Sequence, residues 1–195
     1  MTQDNGKSKH KTLILLVGKS GSGKTTLAEH ARRLYGLSSI QSYTTRPRRT
    51  PDETGHIFAS NRAFHSLKDI IAYTKYNGYE YCATAQQAED NDIFVVDPKG
   101  VEYFKEHYHG SKNAVVVYIV SSSDPHEAFN TCYERIKERG GTIDEAAERV
   151  VFDNREFKDF EKQADYVLVN KDFEDLDTNA AKLDKIVRTG GLDEG

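Results

Sequence analysis

At 195 residues the chain is long enough for one domain with a sizeable core and small inserted lobes. Charged residues are 30% and hydrophobic residues 37%, and no apolar run approaches the roughly 20 residues that span a bilayer, so no membrane association is expected. A formal net charge of -4 leaves no basic surplus to displace counterions from a nucleic acid, so no nucleic-acid partner is expected. Two cysteines cannot build a zinc cluster, and Leu13–Val17 is too short for the apolar region of an export signal. Both observations point to the reducing cytoplasm.

Residues 1–11 are polar, lack apolar periodicity and read as a mobile tail. Residues 13–17 form a continuous apolar run, the pattern of a strand buried on both faces. A helix starts after Gly23, with Leu27, Ala31 and Leu34 spaced for one face, and Gly36 ends it. The section from about 38 to 90 is rich in Tyr, Thr and Arg. It predicts short strands near His56–Ala59 and Ile71–Tyr76 and a helix near Arg62–Lys68. "IFVVD" (93–97), "AVVVYIV" (114–120) and "DYVLVN" (165–170) read as further buried strands. Residues 124–162 are charged and helical, interrupted at "RGG" (139–141), and a last helix covers 174–188. Alternating strands and helices imply a three-layer α/β fold with a parallel central sheet.

"GKSGSGKTT" fits G-x-x-x-x-G-K-[ST] with Gly18, Gly23, Lys24 and Thr25. Glycines let the backbone curl so that successive N–H groups of Ser20, Gly21 and Ser22 point at phosphate oxygens. The following helix adds the positive end of its dipole. In this pattern Lys24 reaches the β and γ phosphates of ATP and the Thr25 hydroxyl ligates Mg²⁺, with Thr26 next along the helix. Asp97, closing "IFVVD", is the candidate to hold that Mg²⁺ through water; the alternative is a turn aspartate before Pro98. Arg46, Arg48 and Arg49 in "SYTTRPRR" offer planar forks for a second anion beside the hydroxyls of Ser42, Thr44 and Thr45. Arg135 and Arg139 lie four residues apart on one helix face, and Arg149 follows on the next helix. His107 and His109 have no third metal ligand at suitable spacing.

The order of "GKSGSGKTT", "SYTTRPRR", "YEYCAT", "VVDPKG" and "ERIKERGG…R" resembles the guanylate kinase family, from Leu13 to about Ile186. The resemblance implies a P-loop kinase domain over 12–188, with a nucleotide-acceptor lobe at about 38–90, a helical lid at about 124–160 and a tail at 189–195. It implies that Ser42, Arg46, Arg49 and Tyr81 grip the acceptor phosphate, with His56 where the family carries a tyrosine. It also implies that Arg135, Arg139 and Arg149 act on the transferring phosphoryl group, with Lys24, and that Asn170 lies toward the adenine. ATP and a nucleoside monophosphate are the implied partners, Mg²⁺ the implied cofactor, and the chain a monomer or homodimer.

Four departures from the family pattern cluster around the acceptor. The guanine-reading glutamate becomes Ala72, a nearby serine or threonine becomes Ala83, a tyrosine becomes His56, and the first Asp of a D-x-D becomes Val95. Tyr73, Lys75, Asn77 and Glu80 are candidate replacements for base contact. GMP or dGMP is the favoured acceptor. The alternatives are another nucleoside monophosphate, ribose 1,5-bisphosphate, or a binding module of the same fold without catalysis.

Overall fold

The structure is a computed structural model that describes residues 10–48, 50–76, 78–138, 142–171 and 173–192. The fold is built around β1 (Thr12–Gly18), every residue of which is buried. It pairs in parallel with β6 (Ile93–Val95) on one side and β7 (Asn113–Val120) on the other. β8 (Tyr166–Val169) pairs in parallel beyond β7, giving the order β6-β1-β7-β8. Outside β6, Ile40 N–H donates to the carbonyl of Ile93, and Ile93 N–H to that of Ser38, extending the sheet by one short edge segment.

A strand buried on both faces alternates its side chains between two cores. Ile14 and Leu16 join Val117, Ile119 and Leu168 under α1 (Lys24–Tyr35) and α7 (Phe173–Thr189). Leu13, Leu15 and Val17 join Val116, Tyr118, Phe157 and Phe160, with Val101 and Phe104 from α4 (Pro98–His107). The parallel three-layer architecture follows from this division.

A second sheet interrupts the first after α1. Its order is β3 (Ile57–Phe58), β2 (Tyr43–Thr44), β5 (Tyr79–Thr84), β4 (Ile70–Tyr76). Only β2–β3 is parallel. Helix α2 (Asn61–Phe64) joins β3 to β4, and α3 (Ala85–Asp90) leads to β6. The lobe is anchored by Ile71, Ala72 and Ala83, which pack into the core of Leu13, Leu15 and Val17. Two helices, α5 (Pro125–Glu138) and α6 (Ile143–Glu156), lie between β7 and β8. α6 starts on a reciprocal cap between Thr142 and Glu145. The interruption expected at 139–141 lies outside the described residues.

Several expectations need adjustment. Leu34 is 48% exposed rather than buried with Leu27 and Ala31. The apolar stripe of α1 runs through Ala28, Ala31 and Tyr35, which rotates Leu34 off its edge, and Leu37 fills the core after the left-handed turn at Gly36. The helix expected near Arg62–Lys68 is a single turn capped by the Ser60 hydroxyl. Strand β6 stops at Val95, two residues early, because Asp97 turns to cap α4. His10 and Lys11, expected in the tail, are tied to the core: His10 to Asp92 at 2.9 Å, and the Lys11 carbonyl to Asn113 N–H. His107 stacks on Tyr103, with ring centroids 3.8 Å apart, and bonds its carbonyl, so helix packing accounts for it.

Leu15 sits at the centre of β1 with no exposed surface. Leu15→Ala is predicted to lower unfolding free energy by about 2–5 kcal/mol in urea titration, whereas Leu34→Ala should change it by about 0.5 kcal/mol or less. Equal effects would mean that α1 presents a different face to the sheet.

Candidate active site

The loop between β1 and α1 lies at the carboxyl end of the parallel sheet, where ligands of open α/β sheets bind. Its glycines are required by close approach. A Cβ on Gly18 would stand 2.6 Å from the carbonyl oxygen of Ile119 and 2.7 Å from Ser22 Oγ. Gly21, with φ of 81°, lies against the backbone of Cys132 on α5. Gly23, with φ of 92°, lies against the Asn170 amide. Lys24 Nζ donates to the carbonyls of Gly18 at 2.5 Å and Lys19 at 2.8 Å, so its ammonium lies along the loop. Ser22 Oγ and Asn170 Oδ1 are buried polar atoms without a hydrogen-bond partner, while Asn170 Nδ2 donates to the Ser22 carbonyl at 3.2 Å. Unpaired buried polar atoms are costly, so their place in this loop marks a site built for polar ligand atoms. Thr25 and Thr26 are exposed in the first turn of α1.

Helices α5 and α6 pack against this loop. Arg135 on α5 donates through Nη1 to the carbonyls of Gly21 at 3.1 Å and Asn170 at 3.4 Å, and through Nη2 to that of Lys171 at 2.5 Å. Arg149 on α6 donates through Nε to Ser20 Oγ at 2.9 Å. Arg139 lies outside the described residues. Asp97 follows β6, whose Val95 is in register with Leu16, so it projects from the same sheet end as the loop. Its Oδ1 accepts from Gly100 N–H at 2.6 Å, so Asp97 caps α4, where the alternative reading expected a turn aspartate before Pro98.

The small sheet carries the second constellation. Successive strand residues alternate faces, and the pairings Thr44↔Phe58, Thr44↔Tyr81, Thr74↔Tyr81 and Ala72↔Ala83 place these side chains on one face. His56 shares it, 5.5 Å from the Tyr81 ring and 6.2 Å from that of Phe58. Ser42 is in step with Thr44. Arg46 emerges beside them, 8% exposed, its guanidinium 5.3 Å above the Phe58 ring. Its fork grips Glu53, with Nη2 to Oε1 at 2.7 Å and Nη1 to Oε2 at 3.2 Å. The hydrogen bond to Glu53 raises the Arg46 pKa, burial opposes this, and the Tyr81 hydroxyl adds to the rise. The cluster therefore shows the planar two-point recognition of an oxyanion that a phosphate needs. Arg49 lies outside the described residues.

The guanylate kinase family model covers residues 9–189. The chain belongs to the guanylate kinase family. In fold it is similar to guanylate kinase from Anaplasma phagocytophilum, at 20% identity over 95% of this chain and 89% of that one, with a TM-score of 0.54. Shikimate kinase from Bacteroides thetaiotaomicron is similar at 14% identity over 90% of this chain and 97% of that one, with a TM-score of 0.43. No curated protein matches in sequence.

Against the family pattern, Ala72 and Ala83 are cross-strand partners, 8% and 0% exposed, so two of the departures form one apolar patch. Of the candidate replacements, Asn77 lies outside the described residues, and Tyr73, Lys75 and Glu80 point to the opposite face, in register with Cys82 and each other. There Glu80 accepts from Tyr73 Oη at 2.7 Å and pairs with His65 Nε2 at 2.8 Å. Thr74, directly across from Tyr81, is a polar residue of β4 on the face that carries Tyr81. Sequence reasoning missed Glu53 and Asp153. Glu53 was signalled by an acid beside the arginines in "RRTPDE", and Asp153 by its position four residues after Arg149.

The Tyr73 hydroxyl bond holds the Glu80 carboxyl below the usual glutamate range, with His65 adding to it. A lowered folded pKa stabilises the fold above the unfolded pKa, and that contribution disappears as pH falls through the folded value. NMR titration should therefore place Glu80 below an ordinary glutamate, and Tyr73→Phe should move it upward. Adding GMP should leave it unmoved. A GMP-dependent shift of the Glu80 carboxyl itself would put Glu80 in the acceptor site.

Proposed function

We propose that this chain is an ATP-dependent nucleoside monophosphate kinase that transfers the γ-phosphoryl group of ATP to the phosphate of GMP or dGMP. The observation that carries the reading is the pairing of a complete phosphate loop with a separate arginine site on the small sheet. One site holds the donor and the other holds an acceptor that is already an anion. Arg46, Arg49, Ser42, Tyr81 and His56 are assigned to the acceptor phosphate. The loop from Gly18 to Thr26, with Asn170, is assigned to ATP.

The acceptor phosphate is itself a nucleophilic oxyanion, so no general base is needed. Catalysis then consists of alignment and charge stabilisation. Lys24, Arg135, Arg139 and Arg149 are assigned to the charge that spreads over the transferring group. The oxygen donors Thr25 and Asp97 suit magnesium, which binds few protein ligands and takes the rest from phosphate and water. Bound there, Mg²⁺ would neutralise phosphate charge. The loop, Lys24 and the lid arginines together favour catalysis over a binding-only role.

One observation favours a broader acceptor range. The Ala72–Ala83 pair offers no hydrogen-bond acceptor to a guanine edge, and a site without such a buried group does not reject bases that lack the matching donors. Discrimination between GMP and other monophosphates is therefore expected to be weak.

Two substitutions separate the sites. Lys24→Ala should lower kcat by on the order of 100-fold or more with the circular dichroism spectrum unchanged; an unchanged kcat would remove the kinase assignment. Arg46→Lys keeps the charge but loses the fork, so acceptor KM should rise about tenfold while ATP binding stays near wild type. Weakened ATP with an untouched acceptor would reverse the assignment of the two sites.

A further inference from the structure

The lid helix α6 meets the phosphate loop through more than its arginine. Ser20 N–H donates to Asp153 Oδ2 at 2.5 Å. Lys19 Nζ donates to Asn154 Oδ1 at 2.6 Å, and Arg149 Nε donates to Ser20 Oγ at 2.9 Å. Arg149 and Asp153 are one helical turn apart on the same face, so a single docking position makes these contacts together. Asp153 is 7% exposed, which shields its bond from competing water.

A hydrogen bond from a loop N–H to a carboxylate is chemically the interaction that such a loop offers a phosphate oxygen. One N–H cannot be fully shared between the two. A carboxylate held at the loop would also face a polyphosphate of the same sign at close range. We propose that Asp153 is an internal anion that competes with the donor's phosphates for the loop, so that α6 must release Ser20 before ATP can be fully seated. This rests on the reading of the loop as the ATP site.

The release has a second effect. The contact that holds Asp153 at Ser20 N–H lies beside the one that holds Arg149 at Ser20 Oγ. Displacing α6 by a small shift breaks both, and frees the guanidinium to turn from a hydroxyl to a phosphate. Donor entry and the recruitment of Arg149 are then one event. Apparent donor affinity is the intrinsic affinity multiplied by the released fraction, so the latch lowers it without touching the nucleotide.

The test uses the full chain and MgADP or a non-hydrolysable ATP analogue in isothermal titration. Asp153→Asn keeps the shape and an acceptor oxygen but loses the charge; Asp153→Ala loses both. Each variant should bind nucleotide more tightly than wild type, about threefold to tenfold if roughly a tenth to a third of wild-type molecules are released. In wild type the Ser20 amide proton should resonate downfield, as a hydrogen bond to a carboxylate requires. It should move on nucleotide binding and also in Asp153→Asn. Folded variants that bind equally or more weakly would overturn the proposal while leaving the ATP site standing. Failure of wild type and variants alike to bind adenine nucleotide would overturn both. A Ser20 resonance unmoved by nucleotide in wild type would overturn the latch without recourse to any variant.

Discussion

The structure depends on one constraint: a loop of backbone N–H groups must be held open at the end of β1 with no side-chain carbon in its way. Gly18, Gly21 and Gly23 meet it against three different elements, the β7 carbonyl of Ile119, the α5 backbone at Cys132 and the Asn170 amide after β8. Each neighbour is itself fixed by the central sheet or by α5. The parallel pairing of β1 with β6 and β7 sets the loop at the sheet's end, and the two cores above and below keep β1 from shifting. A loop so constrained presents its donors in a fixed direction, which electrostatic stabilisation of phosphate needs.

The same pairing recurs at both candidate sites. At Arg46 a carboxylate of the chain, Glu53, accepts the two-point fork; at Ser20 another, Asp153, accepts the loop N–H. These carboxylates satisfy donors that would be costly to bury unpaired. Under the proposed function, a phosphate arriving at either place exchanges one anionic partner for another, so its net affinity would be smaller than the strength of the individual bonds.

Most of the fold was legible in the sequence because its strongest signals are local. The apolar run Leu13–Val17, the glycine pattern from Gly18 to Gly23 and the charged helices around Arg135 and Arg149 are each readable within a short window. Leu34 misled because apolar spacing defines a stripe only when the whole set is considered, and Ala28 and Tyr35 moved it. In the small sheet the missing information was register. Whether Tyr73, Lys75 and Glu80 or Thr74 and Tyr81 share the face of Thr44 and Phe58 depends on how β4 and β5 pair, which composition does not encode. The Ser20–Asp153 contact joins residues 133 positions apart, so only the packing of α6 onto the loop reveals it.

The central claim is phosphoryl transfer between two anion sites, and ³¹P NMR tests it most directly. The full chain would be incubated with Mg²⁺, ATP and, in separate samples, GMP, dGMP, AMP, the pyrimidine monophosphates and ribose 1,5-bisphosphate. The account predicts that ATP signals give way to ADP together with the β-phosphate signal of a new nucleoside diphosphate. GMP or dGMP should be among the acceptors, and the margin over AMP should be narrow. Persistence of every ATP and monophosphate signal, in a sample shown by titration to bind both nucleotides, would contradict it.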